Sequence, residues 1–257
     1  MKRKILTDVE LRAHWSQTRC ASYRVAPGTI LTPAARDFLR EQNIALIEEA
    51  TAAAAAGVMT MTPVPMRGGR PLYKVAATGE ETSDKPEDMT HLNGNVLVPK
   101  THPRIVFRGK LDSLQAKILE LQLAACESGS QEMTDDLGEL LEYTKALLGA
   151  EVKETPLEDM RLLGMTSPQL RYTSHHVKEI FGIDHPVPHI GMGRLCIELN
   201  LLRTQVREVE LVAAQTFAAP DAAPRPDLIE ALNRLSSCVY IIFCRKLAGY
   251  YEGENGL

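Results

Sequence analysis

The sequence predicts a mainly α fold, an antiparallel bundle of about five helices preceded by a small α/β region. Three observations carry this. From Pro103 onward apolar residues recur at helical spacing, beginning with Phe107, Leu111, Leu114, Ile118, Leu121 and Ala125. Two more such rows follow near the C-terminal end: Leu195, Leu199, Leu202, Val206, Val209 and Ala213, then Leu228, Leu232, Leu235, Val239 and Ile242. The breaks between these rows are short, which makes consecutive helices antiparallel neighbours.

Taken in order, residues 1–51 read as the α/β region. A helix over 7–17 leads to a Pro27-Gly28 turn, and a second helix is capped by Thr32 with Pro33 at its first position. Ile44 to Ile47, after Asn43, has the composition of a strand. Residues 52–71 are rich in Ala and then in Gly, Pro, Met and Arg without a sustained period, the mark of a linker or mobile loop. Residues 72–103 form a loop-like segment before the bundle, which occupies 104–250. After the first bundle helix a second is expected over 134–148, with Asp135 and Asp136 in its first turn and Gly149 at its stop. Shorter helical pieces are expected over 156–163 and 167–172. A Pro/His/Gly loop over 182–193 then precedes the two longest helices, 194–217 and 226–247.

Composition narrows the function. With 257 residues, 44% of them hydrophobic, the chain can bury a real core, and a formal net charge of −4 argues against a nucleic-acid binder. Cys20, Cys126, Cys196, Cys238 and Cys244 are odd in number and hold no CxxC, so reduced and mostly buried thiols in a cytoplasmic protein are expected. The basic start Met1-Lys-Arg-Lys has no apolar signal core behind it, and no run reaches membrane-spanning length. Neither nucleic acid nor membrane is an expected partner.

The charged row on the penultimate helix is the strongest pointer to chemistry. Arg203, Arg207 and Glu210 fall at i, i+4 and i+7 on one face, beside the apolar row that buries. Like charges at i, i+4 cost an isolated helix roughly 0.2–0.5 kcal/mol, so the pair implies either an anion between the arginines or nearby glutamates that absorb their charge. Alone, Arg207 and Glu210 would make only a surface salt bridge worth about 0–1 kcal/mol.

Four segments in order resemble the ATP:cob(I)alamin adenosyltransferases of the ethanolamine- and propanediol-utilisation types. They are Val98-Pro-Lys100-Thr-His-Pro103-Arg104, Phe107-Arg-Gly-Lys-Leu-Asp112-Ser113, Asn200-Leu-Leu-Arg203-Thr-Gln-Val-Arg207-Glu-Val-Glu210 and Leu232-Asn233-Arg234-Leu235-Ser236. The resemblance spans about residues 90 to 247. Ile30-Leu-Thr-Pro-Ala-Ala-Arg36 and Lys85-Pro-Glu-Asp-Met-Thr-His91-Leu92 are similar to the ethanolamine branch in particular.

The resemblance implies transfer of the 5'-deoxyadenosyl group of ATP to cobalamin, with triphosphate as leaving group. It assigns Arg207 and Lys100 to the triphosphate, Glu210 to its Mg²⁺ or a bridging water, and Asn233 to the nucleotide. Arg207 and Glu210 are thereby the catalytic pair. Arg203 is expected to fork onto Asp112 across a subunit interface. Thr90, in Thr90-His-Leu-Asn-Gly-Asn95, sits where the propanediol branch carries its nucleotide loop, although an isolated Asn-Gly-Asn also makes an ordinary turn. An apolar wall is needed to strip the lower cobalt ligand, and Phe181, Ile183 and Phe243 are the candidates; His189 and Met192 lie on the loop leading into the Arg203 helix. A homo-oligomer, a protein reductant, and association of this cytoplasmic protein with a bacterial microcompartment are further implications.

Departures from the family pattern matter too. Some ethanolamine-branch members carry a His followed by CCxxC before the Lys-Pro segment; here Leu72 to Gly79 has neither Cys nor His. No soft-metal site carries over. His175, His176, His185 and His189 have no carboxylate or thiol spaced to complete a metal set. Glu208 stands where many propanediol-branch members have a second arginine, and Ser237 where they have Asp. The rival reading is a non-catalytic module that stores or delivers cobalamin within a metabolic enzyme complex.

Overall fold

The computed structural model of the 257-residue chain describes residues 5–18, 22–25, 29–42, 44–48, 65–67, 70–159, 161–219 and 223–252. The chain divides into two compact units, 1–60 and 61–257. The expected Pro27-Gly28 turn, Cys20 and most of the expected 52–71 linker lie outside the described residues.

In the first unit, β1 (Ile5–Leu6) pairs in parallel with β3 (Ile30–Leu31), and β2 (Ser22–Val25) in parallel with β4 (Ala45–Glu48). Helices α1 (Asp8–Thr18) and α2 (Pro33–Glu41) follow β1 and β3. Thr32 Oγ1 accepts the Ala35 N–H at 3.2 Å and Pro33 opens α2, as the cap signal predicts. Leu6, Leu11, Val25, Phe38 and Leu39 make a small core of their own, with Trp15 edge-on to Phe38.

The second unit begins with a hairpin of β5 (Met66–Arg67) and β6 (Arg70–Pro71), followed by a four-stranded sheet. Its strands are β7 (Tyr73–Val75), β8 (Glu81–Thr82), β9 (Met89–Asn93) and β10 (Val96–Pro99), in the order β8-β7-β10-β9. The Asn93-Gly94-Asn95 motif is the β9–β10 hairpin turn, with Gly94 at φ +50°. A conformation that disfavours a Cβ explains the glycine there. Thr78-Gly79 turns β7 toward β8 in the same way. Residues expected as a loop thus build a sheet whose buried members are Leu97 and Val98.

Helices α3 (Pro103–Glu127), α4 (Gln131–Lys153), α5 (Ser167–His175), α6 (Val177–Phe181), α7 (Gly193–Phe217) and α8 (Pro226–Leu247) follow. The short Ser128–Ser130 link sets α4 antiparallel to α3. The Thr216 hydroxyl donates to the Pro103 carbonyl and Phe107 meets Phe217 edge-on, so α7 also runs antiparallel to α3. The apolar rows read from sequence on α3, α7 and α8 form one core, with Leu195 only partly buried.

Two boundary expectations are corrected. The second bundle helix runs past Gly149 to Lys153, starts at Gln131, and is stopped by Glu154 in the left-handed region at φ 55°. Asp136, expected to serve the helix dipole, instead accepts from Arg245 and Tyr251. Residues 156–159 and 161–163 are not helical; Leu162 bridges Met165, and the Leu157 N–H donates to Asp227. Asp227 draws this segment onto α8 by offering a buried backbone donor its acceptor.

Candidate functional site

Arg207 and Glu210 lie on α7 where the helical spacing put them, and α8 brings Asn233 alongside. The Asn233 amide donates from Nδ2 to Glu210 Oε1 at 2.8 Å, and its Oδ1 accepts from Arg234 Nη2 at 2.6 Å. Both ends of the amide are therefore committed, which fixes its orientation. Arg207 is exposed and has no hydrogen-bond or ion-pair partner among the described residues. Glu210 does not pair with it. A cation next to a carboxylate whose one oxygen is held by an amide suits a polyanion with an attached cation.

Arg203, one turn earlier, has different surroundings. Its Nε and Nη2 donate to Asn200 Oδ1 at 3.3 and 3.1 Å, and its guanidinium lies 6.0 Å from the Tyr240 ring centre. Tyr240 in turn shares a 2.8 Å hydrogen bond with His185 Nδ1 and stacks on that ring. Burial, then the neighbouring Cys244, push the Tyr240 phenol up to about 12, so it stays neutral. Asp112 is exposed on α3 and does not meet Arg203 within the chain.

Lys100 and Thr90 sit on the sheet. Thr90 is half-buried in β9 opposite Val98; Lys100 is exposed just past β10, its N–H donating to the Asp88 carbonyl at 2.9 Å. Pro103 touches Thr216, so Arg207 lies roughly 14 Å further along α7 at the usual helical rise. One chain thus holds the expected phosphate ligands in two groups.

The corrin candidates divide. Phe181 packs partly against the core and Ile183 is half-buried, both beside the exposed loop that carries His185 and His189. Phe243 is corrected: at 1% exposure its ring is spent on the core, and the partly exposed ring beside it is Tyr240. Of the four histidines expected not to form a metal site, His176 stacks on Tyr172 and His185 on Tyr240. No group of three or more His, Cys, Asp or Glu side chains able to hold a metal is present among the described residues. Among the thiols, Cys196, Cys238 and Cys244 are buried and Cys126 is exposed.

Sequence reading missed the network that anchors the sheet to the bundle. Glu151, fully buried, accepts from Arg104 Nε on one oxygen and from Arg108 Nε on the other. Glu154 accepts from Arg104 and from Asn93 Nδ2 at the hairpin turn, and the Arg104 bond holds its carboxyl below the usual range. A cavity of about 590 Å³ opens beside this network, with Leu92, His102, Arg104, Thr216 and Arg225 on its wall. Its arginines are already neutralised, Arg225 by a two-pronged contact with Asp227 that pulls that carboxyl down to about 2. Glu151 reads in sequence as one more helix acid; only its depth marks it.

The bundle with its α7 row defines a class. The cobalamin adenosyltransferase family model matches residues 81–246, and the chain belongs to that family. Within it, the chain is 32% identical to the corrinoid adenosyltransferase EutT of Escherichia coli strain K12, covering 92% of this chain and 90% of that one. It is 30% identical to the EutT of Salmonella typhimurium, over 95% and 92% of the two chains. Among solved structures, a single-substitution variant of the PduO-type ATP:corrinoid adenosyltransferase of Lactobacillus reuteri, complexed with cobalamin and ATP, superposes with a TM-score of 0.52. That match covers 65% of this chain and 91% of the other at 18% identity, and it speaks for the fold. The protein is accordingly a transferase of mainly α fold. Among the described residues no helix is long and apolar enough to cross a membrane.

Proposed function

We propose that the chain transfers the 5'-deoxyadenosyl group of ATP to cob(I)alamin and supplies adenosylcobalamin for ethanolamine degradation. The observation that carries this is the Arg207 guanidinium, without a partner among the described residues, beside the Glu210–Asn233 pair. Cobalt(I) attacks C5' with its electron pair, the cobalt–carbon bond forms, and the C5'–oxygen bond breaks, its electrons leaving on triphosphate. No general base is required, so the protein's task is to align C5' and to stabilise charge on the departing oxygens.

Arg207 and Lys100 bind that charge, and Asn233, oriented by Arg234, holds the nucleotide. The donor set fits Mg²⁺: one partly exposed carboxylate, Glu210, leaves the remaining positions to phosphate oxygens and water. When bound, the ion would lower the charge on the triphosphate. Phe181 and Ile183, with Tyr240 in place of Phe243, form the apolar side offered to the corrin.

Separation of Lys100 and Thr90 from Arg207 supports a site completed between copies of the chain, in which Arg203 meets Asp112 of a neighbour. Exposed Leu119 and Leu123 on α3 and Ile197 and Leu201 on α7 support the same oligomer. Counted from the Pro103–Thr216 contact, these two pairs lie at about the same height on the two helices. A protein reductant delivers cob(I)alamin, and the reading makes this a cytoplasmic enzyme associated with a microcompartment. The test is an anaerobic assay of purified protein with cob(I)alamin, ATP and Mg²⁺, following the light-sensitive adenosyl product. Formation of the product is expected; ATP-independent cobalamin binding without conversion would leave the storage module instead.

A further inference from the structure

Residues 183–192, between α6 and α7, form an arm with few ties to the bundle. It starts after Gly182 and ends before Gly193, which stand at φ +69° and +79°, so the chain turns at both ends through a conformation that favours glycine. Pro186 and Pro188 stiffen the stretch between them. Phe181 before the arm and Met192 at its end pack partly against the core, but Val187 and Ile190 are 78% and 91% exposed. Among the described residues the backbone of 183–188 makes no hydrogen bond to a helix. Asp184 pairs with Lys178 at the surface, where water weakens the contact.

Among the described residues one side-chain hydrogen bond joins 185–192 to α8, between His185 Nδ1 and the Tyr240 hydroxyl at 2.8 Å. The two rings lie 11° from parallel with centres 6.2 Å apart. The same hydroxyl meets the buried Cys244 thiol one turn along α8. A neutral phenol can donate to one of these partners and accept from the other. Arg203 on α7 and Phe243 on α8 flank the ring, at 6.0 and 6.3 Å from its centre. Tyr240 is thus held by the arm, α7 and α8 together, and of these partners His185 alone is exposed.

We propose that His185 is a positioning residue for the corrin: its bond to the Tyr240 hydroxyl fixes that ring and fastens the arm to α8 beside it. This rests on the reading that Tyr240, Phe181 and Ile183 face the corrin. His185 acts at that end of the site alone, since Tyr240 lies roughly 10 Å along α8 from Asn233. Corrin binding therefore depends on His185 and ATP binding does not.

Equilibrium dialysis of the full-length protein against cob(II)alamin, without ATP, tests this apart from turnover; steady-state assays then give KM for corrin and for ATP. His185→Leu is expected to raise the corrin dissociation constant and KM about three- to tenfold, the loss of one hydrogen bond, and to leave KM for ATP within about twofold. His185→Asn, whose amide sets an acceptor and a donor near the Nδ1 position, restores most of the affinity. Tyr240→Phe should match His185→Leu, and the double variant should be no worse than either. His185 is exposed, so its variants fold even if the Tyr240 variant does not. Unchanged corrin affinity in His185→Leu, an equal rise in KM for ATP, no rescue by Asn, or additive losses in the double variant would each overturn the proposal. Corrin binding that depends on His185 but is never followed by conversion would sink the transferase reading and uphold this one; normal conversion with binding indifferent to His185 would do the reverse.

Discussion

Two sets of arginines in the same bundle are used in opposite ways. At the base, Arg104 and Arg108 converge on the buried Glu151, and every charge there is answered within the chain. On the α7 face, Arg203 is held by Asn200 and Tyr240, whereas Arg207 one turn later is held by nothing among the described residues. The difference teaches where charge serves folding and where it is kept for a ligand. A buried carboxylate between two guanidiniums cannot take up an outside anion without breaking the core; an exposed guanidinium beside an amide-held carboxylate can do so at little cost.

The sharpest way to break the comparison is Glu151→Ala. It leaves Arg108 without a carboxylate and Arg104 with Glu154 alone in a part-buried site, and should cost about 3–5 kcal/mol of stability in denaturant titration. A loss under about 1 kcal/mol would show that the base network is dispensable.

Arg207→Ala should do the reverse. Turnover falls about 100- to 1000-fold while the melting temperature holds, because a lost transition-state charge partner is not a fold contact. Kinetics like the parent protein's would return Arg207 to the role of a solvated surface charge. Asn233→Ala is expected to raise KM for ATP about tenfold with a smaller change in kcat, and Arg234→Met to reproduce part of that effect by freeing the amide.

Asp112→Ala and Arg203→Ala, alone and together, sharpen the contrast between the two α7 arginines. A coupling energy of about 0.5–3 kcal/mol in assembly, read by sedimentation, marks a pair between chains; additive effects would dismiss it. The smallest effect concerns pH. The Arg225 contact depresses Asp227 to about 2, below the unfolded range near 3.9, so its contribution is complete above that range and fades as pH falls toward the folded value. Asp227→Asn should flatten stability between about pH 4 and 2, measured by acid titration of the fold.

Legibility in the sequence followed the physics of each feature. Apolar rows at a fixed period must bury, so the helices of α3, α7 and α8 and their core could be read directly, and so could the Thr32 cap. The helix end at Glu154 could not, since a left-handed glutamate is held there by Arg104 and Asn93, partners distant in sequence. Nor could the sheet over 73–99, whose strands are too short for period to distinguish from loop. Phe243 and Tyr240, three positions apart on one helix, look equally suited to an apolar wall; packing buries the first and leaves the second partly open.

By itself the sequence determined the bundle, the face on which Arg203, Arg207 and Glu210 stand, and the family, because helical pitch and motif order are local properties of the chain. Tertiary structure decided which arginine has no partner among the described residues, which amide meets Glu210, and that Glu151 lies at zero exposure between two cations. Those outcomes depend on what crosses from one helix to the next, and no spacing along a single helix encodes it.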